Sequence, residues 1–208
     1  MRRVITTQEI PPGGDLRIPI GSIVTPAARD LARERGVRIQ EVKPEELDGV
    51  APAEKTIALG ADHGGFEMKE HLKPLLVSLG FALRDVGIHE PKTADYPDIA
   101  HAVAELVASG KALQGMIVDG AGIGSAMVAN KVPGIRAALC YDKASARNSR
   151  EHNHANVLTL GGRFLTLSLA EEIVRTWLAT PYGGGRHEAR VDQIKQIEKR
   201  YRTWTPQS

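Results

Sequence analysis

Gly115-Met116-Ile117-Val118-Asp119-Gly120-Ala121-Gly122-Ile123-Gly124-Ser125, running on through Ala129-Asn130-Lys131 to Gly134-Ile135-Arg136, decides the fold. Met116 to Val118 is a short apolar run of the kind that makes a buried strand, and Asp119 closes it. Glycines at 120, 122 and 124 follow, and Ser125 to Asn130 reads as a helix that begins where the glycines end. A strand passing through glycines into a helix N-terminus aims several backbone N–H groups into one small volume. Unsatisfied donors and the helix dipole both favour an anion there. Asp119 stands at the mouth of that site, and a carboxylate set where positive potential gathers is read as chemistry.

Working outward, the same alternation holds from Lys55 onward. Thr56–Leu59, Ala82–Val86, Gly115–Asp119, Ile135–Cys140 and Val157–Leu160 read as strands. Phe66–Leu79, Tyr96–Ser109, Gly124–Asn130, Lys143–Arg150 and Leu167–Ala179 read as the helices between and after them. Short apolar strands alternating with amphipathic helices predict an α/β, Rossmann-like, doubly wound parallel sheet of five strands. Such sheets bind ligands outside the carboxyl ends of their strands, here Gly60–Gly65, Asp119–Gly124, Cys140–Asp142 and Gly161–Arg163. Arg186 to Trp204 is a basic helix, expected as an arm outside the sheet.

Residues 1–42 form a separate small α+β extension, with short extended stretches at Val4–Ile5, Leu16–Ile20 and Val37–Val42. Thr25 is placed to cap a helix that starts at Pro26 and is ended by Gly36. With so few large apolar groups, this unit is expected to dock on the main domain or on a partner. Residues 43–54 have linker composition, and residues 55–208 form the main domain.

With 208 residues there is enough chain for one good core and a small appendage. A net charge of +2 gives no bulk drive toward nucleic acid or membrane. No apolar run approaches the ~20 residues of a membrane span, and no secretory signal is read at the start. One cysteine, Cys140, excludes an internal disulfide framework and suits the reducing cytoplasm.

Gly60-Ala61-Asp62-His63-Gly64-Gly65, Asp95-Tyr96-Pro97, the glycine loop, Ala129-Asn130-Lys131 and Gly134-Ile135-Arg136 occur in order. Arg150-Glu151-His152-Asn153, Gly161-Gly162-Arg163 and Gly184-Gly185-Arg186-His187 complete the set. From about Lys55 to Arg202 the chain resembles the type-B ribose-5-phosphate isomerases and the galactose-6-phosphate isomerase subunits. The resemblance implies cofactor-free interconversion of an aldose phosphate and a ketose phosphate through an enediolate. It also implies a homodimer or homotetramer with the site between subunits. Gly120, Ala121, Gly122, Ile123, Gly124 and Ser125 would serve the enediolate oxygens. His152 and Asn153 match residues that open the sugar ring and polarise the carbonyl. Asp62, His63 and Tyr96 match sugar contacts. Arg163, Arg186 and Arg190 match phosphate ligands, the last two reaching from the neighbouring subunit.

Plainer roles stand beside these: a helix N-cap for Asp62, a helix-end histidine for His152, a solvated basic helix for Arg190. His154 lacks a third ligand nearby, so no metal is expected. Lys131 reads as structural and Cys140 as a core thiol.

The sequence departs from the family at the proton-abstracting position. The usual cysteine before the glycine loop is Asp119, and the glutamate that a second branch uses instead is Ser125. The hydroxyl residue between the first two loop glycines is Ala121. Three readings follow: Asp119 is the base; the protein binds a sugar phosphate without isomerising it; or Gly120-x-Gly122-x-x-Ser125 with Asp142 is a dinucleotide fingerprint. Separately, Gly21 to Asp30 with Arg35-Gly36-Val37 resembles segments near the starts of some bacterial microcompartment enzymes. That implies association with shell or core proteins, with a plain docking unit as the alternative.

Overall fold

The structure, a computed structural model, describes residues 4–42 and 55–202. The linker at 43–54 and the end of the C-terminal arm around Trp204 lie outside the described residues. The chain divides into two compact units, residues 1–52 and 53–208.

In the first unit, β1 (Val4–Ile5) pairs in parallel with β3 (Ile23–Val24), and β2 (Asp15–Pro19) with β4 (Arg38–Val42). Between β3 and β4 lies α1 (Pro26–Glu34), whose first turn is capped by the Thr25 hydroxyl accepting from the Ala28 N–H at 3.3 Å. Ile5, Ile10, Ile18, Val24, Ala28, Ala32 and Val37 bury one small apolar cluster. The two-residue β3, just ahead of the Thr25-Pro26 helix start, was not among the predicted extended stretches.

The second unit carries β5 (Thr56–Ala61), α2 (Phe66–Ser78), β6 (Ala82–Asp85), α3 (Tyr96–Ala108), β7 (Gln114–Asp119) and α4 (Ile123–Ala129). It continues through β8 (Ala137–Leu139), α5 (Lys143–Glu151), β9 (Val157–Gly161), α6 (Leu167–Ala179) and α7 (Glu188–Arg202). The five strands are parallel in the order β6-β5-β7-β9-β8. Strand periodicity divides the core. Ile57, Leu59, Met116, Val118, Leu158 and Leu160 face α2, α5 and α6, where Trp177 is fully buried. Ala58, Ile117 and Val157 face α3 and α4. Gly60 and Gly115 lie under α3; an added Cβ would stand 2.9 and 2.8 Å from Val103 methyls. Their missing side chains let the helix close onto the sheet.

Strand β8 is shorter than the predicted Ile135–Cys140. Ile135 N–H turns back to the Val132 carbonyl (3.2 Å), and the Arg136 N–H is taken by the Asn156 side chain (2.8 Å). Neither donor is left for a ladder.

Candidate active site

The strand order reverses between β5 and β7, so the crevice of the sheet opens beyond Ala61 and Asp119. Three adjacent strands end there in an aspartate that folds the chain over itself. Asp62 Oδ1 accepts from the N–H groups of Gly64 (2.8 Å) and Gly65 (3.1 Å). Asp85 Oδ1 accepts from Gly87 N–H at 3.0 Å. Asp119 Oδ1 accepts from Ala121 N–H at 2.8 Å and from Gly122 N–H. Asp62 thus braces the turn ahead of α2 and is not its N-cap, which is Gly65.

Asp119 is engaged further. Its Oδ2 accepts from the Ser125 N–H (3.0 Å) and the Ser125 hydroxyl (2.5 Å), and both residues are buried. Four donors fill the four lone-pair directions of the carboxylate. The loop donors expected to await a substrate oxygen are therefore partly occupied by the protein's own anion. Ile123 and Gly124, the first residues of α4, have N–H groups with no carbonyl one turn back to receive them.

Close backbone approach joins the strand ends. Gly162 N–H donates to the Asp119 carbonyl at 2.7 Å and Arg163 N–H to the Gly120 carbonyl at 3.0 Å. A Cβ on Gly64 would meet Gly120 Cα at 2.9 Å. Gly122 holds φ +78°, a left-handed conformation open to glycine, and starts α4. The exposed Arg163 side chain lies over Gly120, and the Tyr96 ring covers Gly124. His63 is exposed and lines a cleft of about 380 Å³ with Gly64, Gly162 and Arg163. Tyr141 lies in the predicted strand end Cys140–Asp142 but is not among the predicted site residues; its hydroxyl donates to the Ala121 carbonyl at 2.6 Å.

His152 and Asn153 are elsewhere. Helix α5 runs back along the sheet, so they precede β9 at its amino end. There the Asn156 carbonyl accepts from Gly115 N–H at 2.9 Å. Asp119 closes the opposite end of β7, four residues beyond Gly115 and about 13 Å away along the strand. The His152 ring stacks on His187 with centroids 4.0 Å apart, which places the Arg186–Arg190 segment at the same end. One chain therefore carries two groups of candidate residues. Asp62, His63, Tyr96, the 119–125 loop and Arg163 share the carboxyl edge. His152, Asn153, Arg186 and Arg190 lie at the amino edge.

Other candidates take structural places. Asp142 caps α5, accepting from Ser145 N–H at 2.6 Å, which occupies the acid of the dinucleotide reading. His154 stacks on Tyr182, centroids 4.4 Å apart. Burial pushes the Cys140 thiol pKa up. Among the described residues, no group of three or more His, Cys, Asp or Glu side chains is placed to hold a metal ion, and no helix is long and apolar enough to cross a membrane.

Fold and site together define a Rossmann-like α/β protein with an aspartate-closed glycine loop at its switch point. Residues 57–194 match the Ribose/Galactose Isomerase family, and the chain belongs to that family of isomerases. It is 44% identical to the ribose-5-phosphate isomerase B of Escherichia coli over 146 residues, 70% of this chain and 98% of that one. It is 37% identical to the D-erythrulose-4-phosphate isomerase of Pectobacterium atrosepticum, covering 69% of this chain and 95% of that one. The solved structure of the Clostridium thermocellum ribose-5-phosphate isomerase B superposes with a TM-score of 0.69 at 47% identity, over 70% of this chain and 99% of that one.

Proposed function

We propose that this protein interconverts an aldose phosphate and a ketose phosphate, a pentose 5-phosphate or a sugar of similar size, without a cofactor. The observation that carries this reading is the convergence of Asp62, Tyr96, the glycine loop and Arg163 on the switch point of the sheet. A carboxylate, amide donors and a guanidinium suit a polyhydroxylated anion. In this reading Asp119 is the base. It takes the proton from C2 of the aldose as electrons move onto O1; the O2 proton passes to O1, and Asp119 returns its proton at C1 as the C2 carbonyl forms, giving the ketose. The substrate's carbonyl oxygen, on which the enediolate charge will develop, competes for the Ala121 and Gly122 N–H groups as it enters the loop, and its arrival frees Oδ1 to accept the proton.

The complete site takes two copies. His152, Asn153, Arg186 and Arg190 of one chain would face the carboxyl edge of a second, antiparallel copy. In that arrangement the arginines hold the phosphate and His152 opens the sugar ring. Residues 1–42 serve as a docking unit, with a microcompartment shell or core protein as candidate partner and such a compartment of the cytoplasm as location.

The four hydrogen bonds on Asp119 favour a second reading, sugar-phosphate binding without turnover. Proton exchange separates the two. The protein would be incubated in D2O with ribose 5-phosphate, erythrose 4-phosphate and a 6-phosphohexose. Deuterium at the carbon beside the carbonyl of any of them marks an isomerase. Binding without exchange marks the alternative.

A further inference from the structure

We propose that His187 is the positioning residue for His152, holding that imidazole by a stacked face for opening the furanose form of a pentose phosphate. The inference rests on the isomerase reading above and adds a residue to which that reading gives no role.

His152 is the C-cap residue of α5 and its ring is fixed on two sides. Nδ1 lies 2.9 Å from the Asn148 side-chain amide, and one ring face lies on His187 with the planes 10° apart. Nε2 is left as the ring nitrogen available to a ligand, with the Glu151 carboxylate 3.9 Å away. His187 is anchored in turn: Arg186 Nε donates to its Nε2 at 3.3 Å. A nitrogen that accepts from a guanidinium carries no proton, so His187 stacks as a neutral ring. Desolvation, then the charges of His152, Arg186 and Arg190, hold its pKa down, with Glu151 opposing them. The pair therefore does not carry two protons near neutrality. Asn148, His152, His187 and Arg186 form one chain linking the ring-opening imidazole to a phosphate arginine.

Ring opening needs that geometry. His152 gives a proton from Nε2 to O4 as the C1–O4 bond breaks, and the C1 hydroxyl returns one as the carbonyl forms. Both transfers use one nitrogen, so a small rotation of the imidazole spoils each. Enolisation of the open chain does not use it.

The two sugars of the reaction separate these steps. Ribose 5-phosphate closes to a furanose. Ribulose 5-phosphate cannot, because the hydroxyl that would close its five-membered ring is phosphorylated. The full-length wild type, His187→Ala and His187→Phe would be compared for conversion of ribose 5-phosphate and for deuterium uptake at C1 of ribulose 5-phosphate. The expected result is a loss of about tenfold or more in ribose 5-phosphate kcat/KM for His187→Ala, with ribulose 5-phosphate exchange unchanged. His187→Phe, which restores a stacking face, should recover most of the loss. Equal losses on both sugars, no loss on either, or a phenylalanine variant no better than the alanine would overturn the proposal. A wild type that exchanges neither sugar would instead fail the isomerase reading for pentose phosphates, and the proposal with it.

Discussion

The Ser125 hydroxyl donates to Oδ2 of Asp119 across 2.5 Å, inside a buried turn where the Ser125 N–H meets the same oxygen at 3.0 Å. A carboxylate so held keeps its position when the loop donors are drawn away by a substrate oxygen. Asp119→Asn should remove deuterium uptake at C2 of the aldose by about 10²–10⁴-fold, the usual contribution of a general base. Ser125→Ala, which keeps the carboxylate and loses one donor, should cost far less. Exchange that survives Asp119→Asn would assign the base elsewhere.

Two dead variants should make a live enzyme. Asp119→Asn disables the carboxyl-edge group, and His152→Ala the amino-edge group. Unfolding and refolding the two together yields mixed dimers in which one site combines two intact groups. Random pairing predicts recovery of roughly a quarter of wild-type activity. No recovery from correctly refolded dimers would mean that each chain completes its own site.

Lys69 is fully buried, with Nζ 2.7 Å from Asp85 Oδ2 and 2.6 Å from the Ile88 carbonyl. Lys69→Met removes one of the two lysines on the mostly buried Asp85 carboxylate, leaving Lys73 2.6 Å away, and should destabilise the protein by about 1.5–3 kcal/mol in urea unfolding. Burial alone would raise the Asp85 pKa, but hydrogen bonds from Lys69, Lys73 and the Gly87 N–H bring it below the usual carboxylate range. Its contribution is present above the unfolded value of about 3.9 and is lost as pH falls through the lower folded value. The wild type should therefore lose stability below about pH 4, and Lys69→Met should show a shallower acid dependence.

A Cβ on Gly124 would stand 2.6 Å from the Tyr96 ring. Tyr96 is partly exposed, so Gly124→Ala should push the ring outward and leave the fold standing. The expected signature is a raised KM with a midpoint of thermal unfolding within a few degrees of wild type.

Cys140 has no solvent exposure, and burial raises its thiol pKa. The thiolate is the reactive form, so native protein should resist iodoacetamide near neutral pH while unfolded protein reacts. Cys140→Ala should keep its activity. Fast native labelling with loss of turnover would return a cysteine to the mechanism.

The sequence by itself determined the layers of the second unit. Met116 to Val118, Ile57 to Leu59 and Val157 to Leu160 are apolar runs too short for helices. The segments between them carry helical spacing, and burial of the apolar faces then leaves one doubly wound sheet. It also determined that Asp62, Asp119 and Arg163 end strands, because glycines follow or precede each of them. What the tertiary structure alone decided is where the donors and the histidine go. Whether the glycine-loop N–H groups face a ligand or Asp119 depends on how the turn closes over a side chain, which no spacing states. The path of α5 back along β8 and β9 carries His152 and Asn153 to the amino edge, far from the aspartate with which the family resemblance groups them. Neighbourhood in a motif is a distance along the chain, while chemistry needs a distance in space, and a parallel sheet sends the two ends of every strand to opposite sides of the molecule.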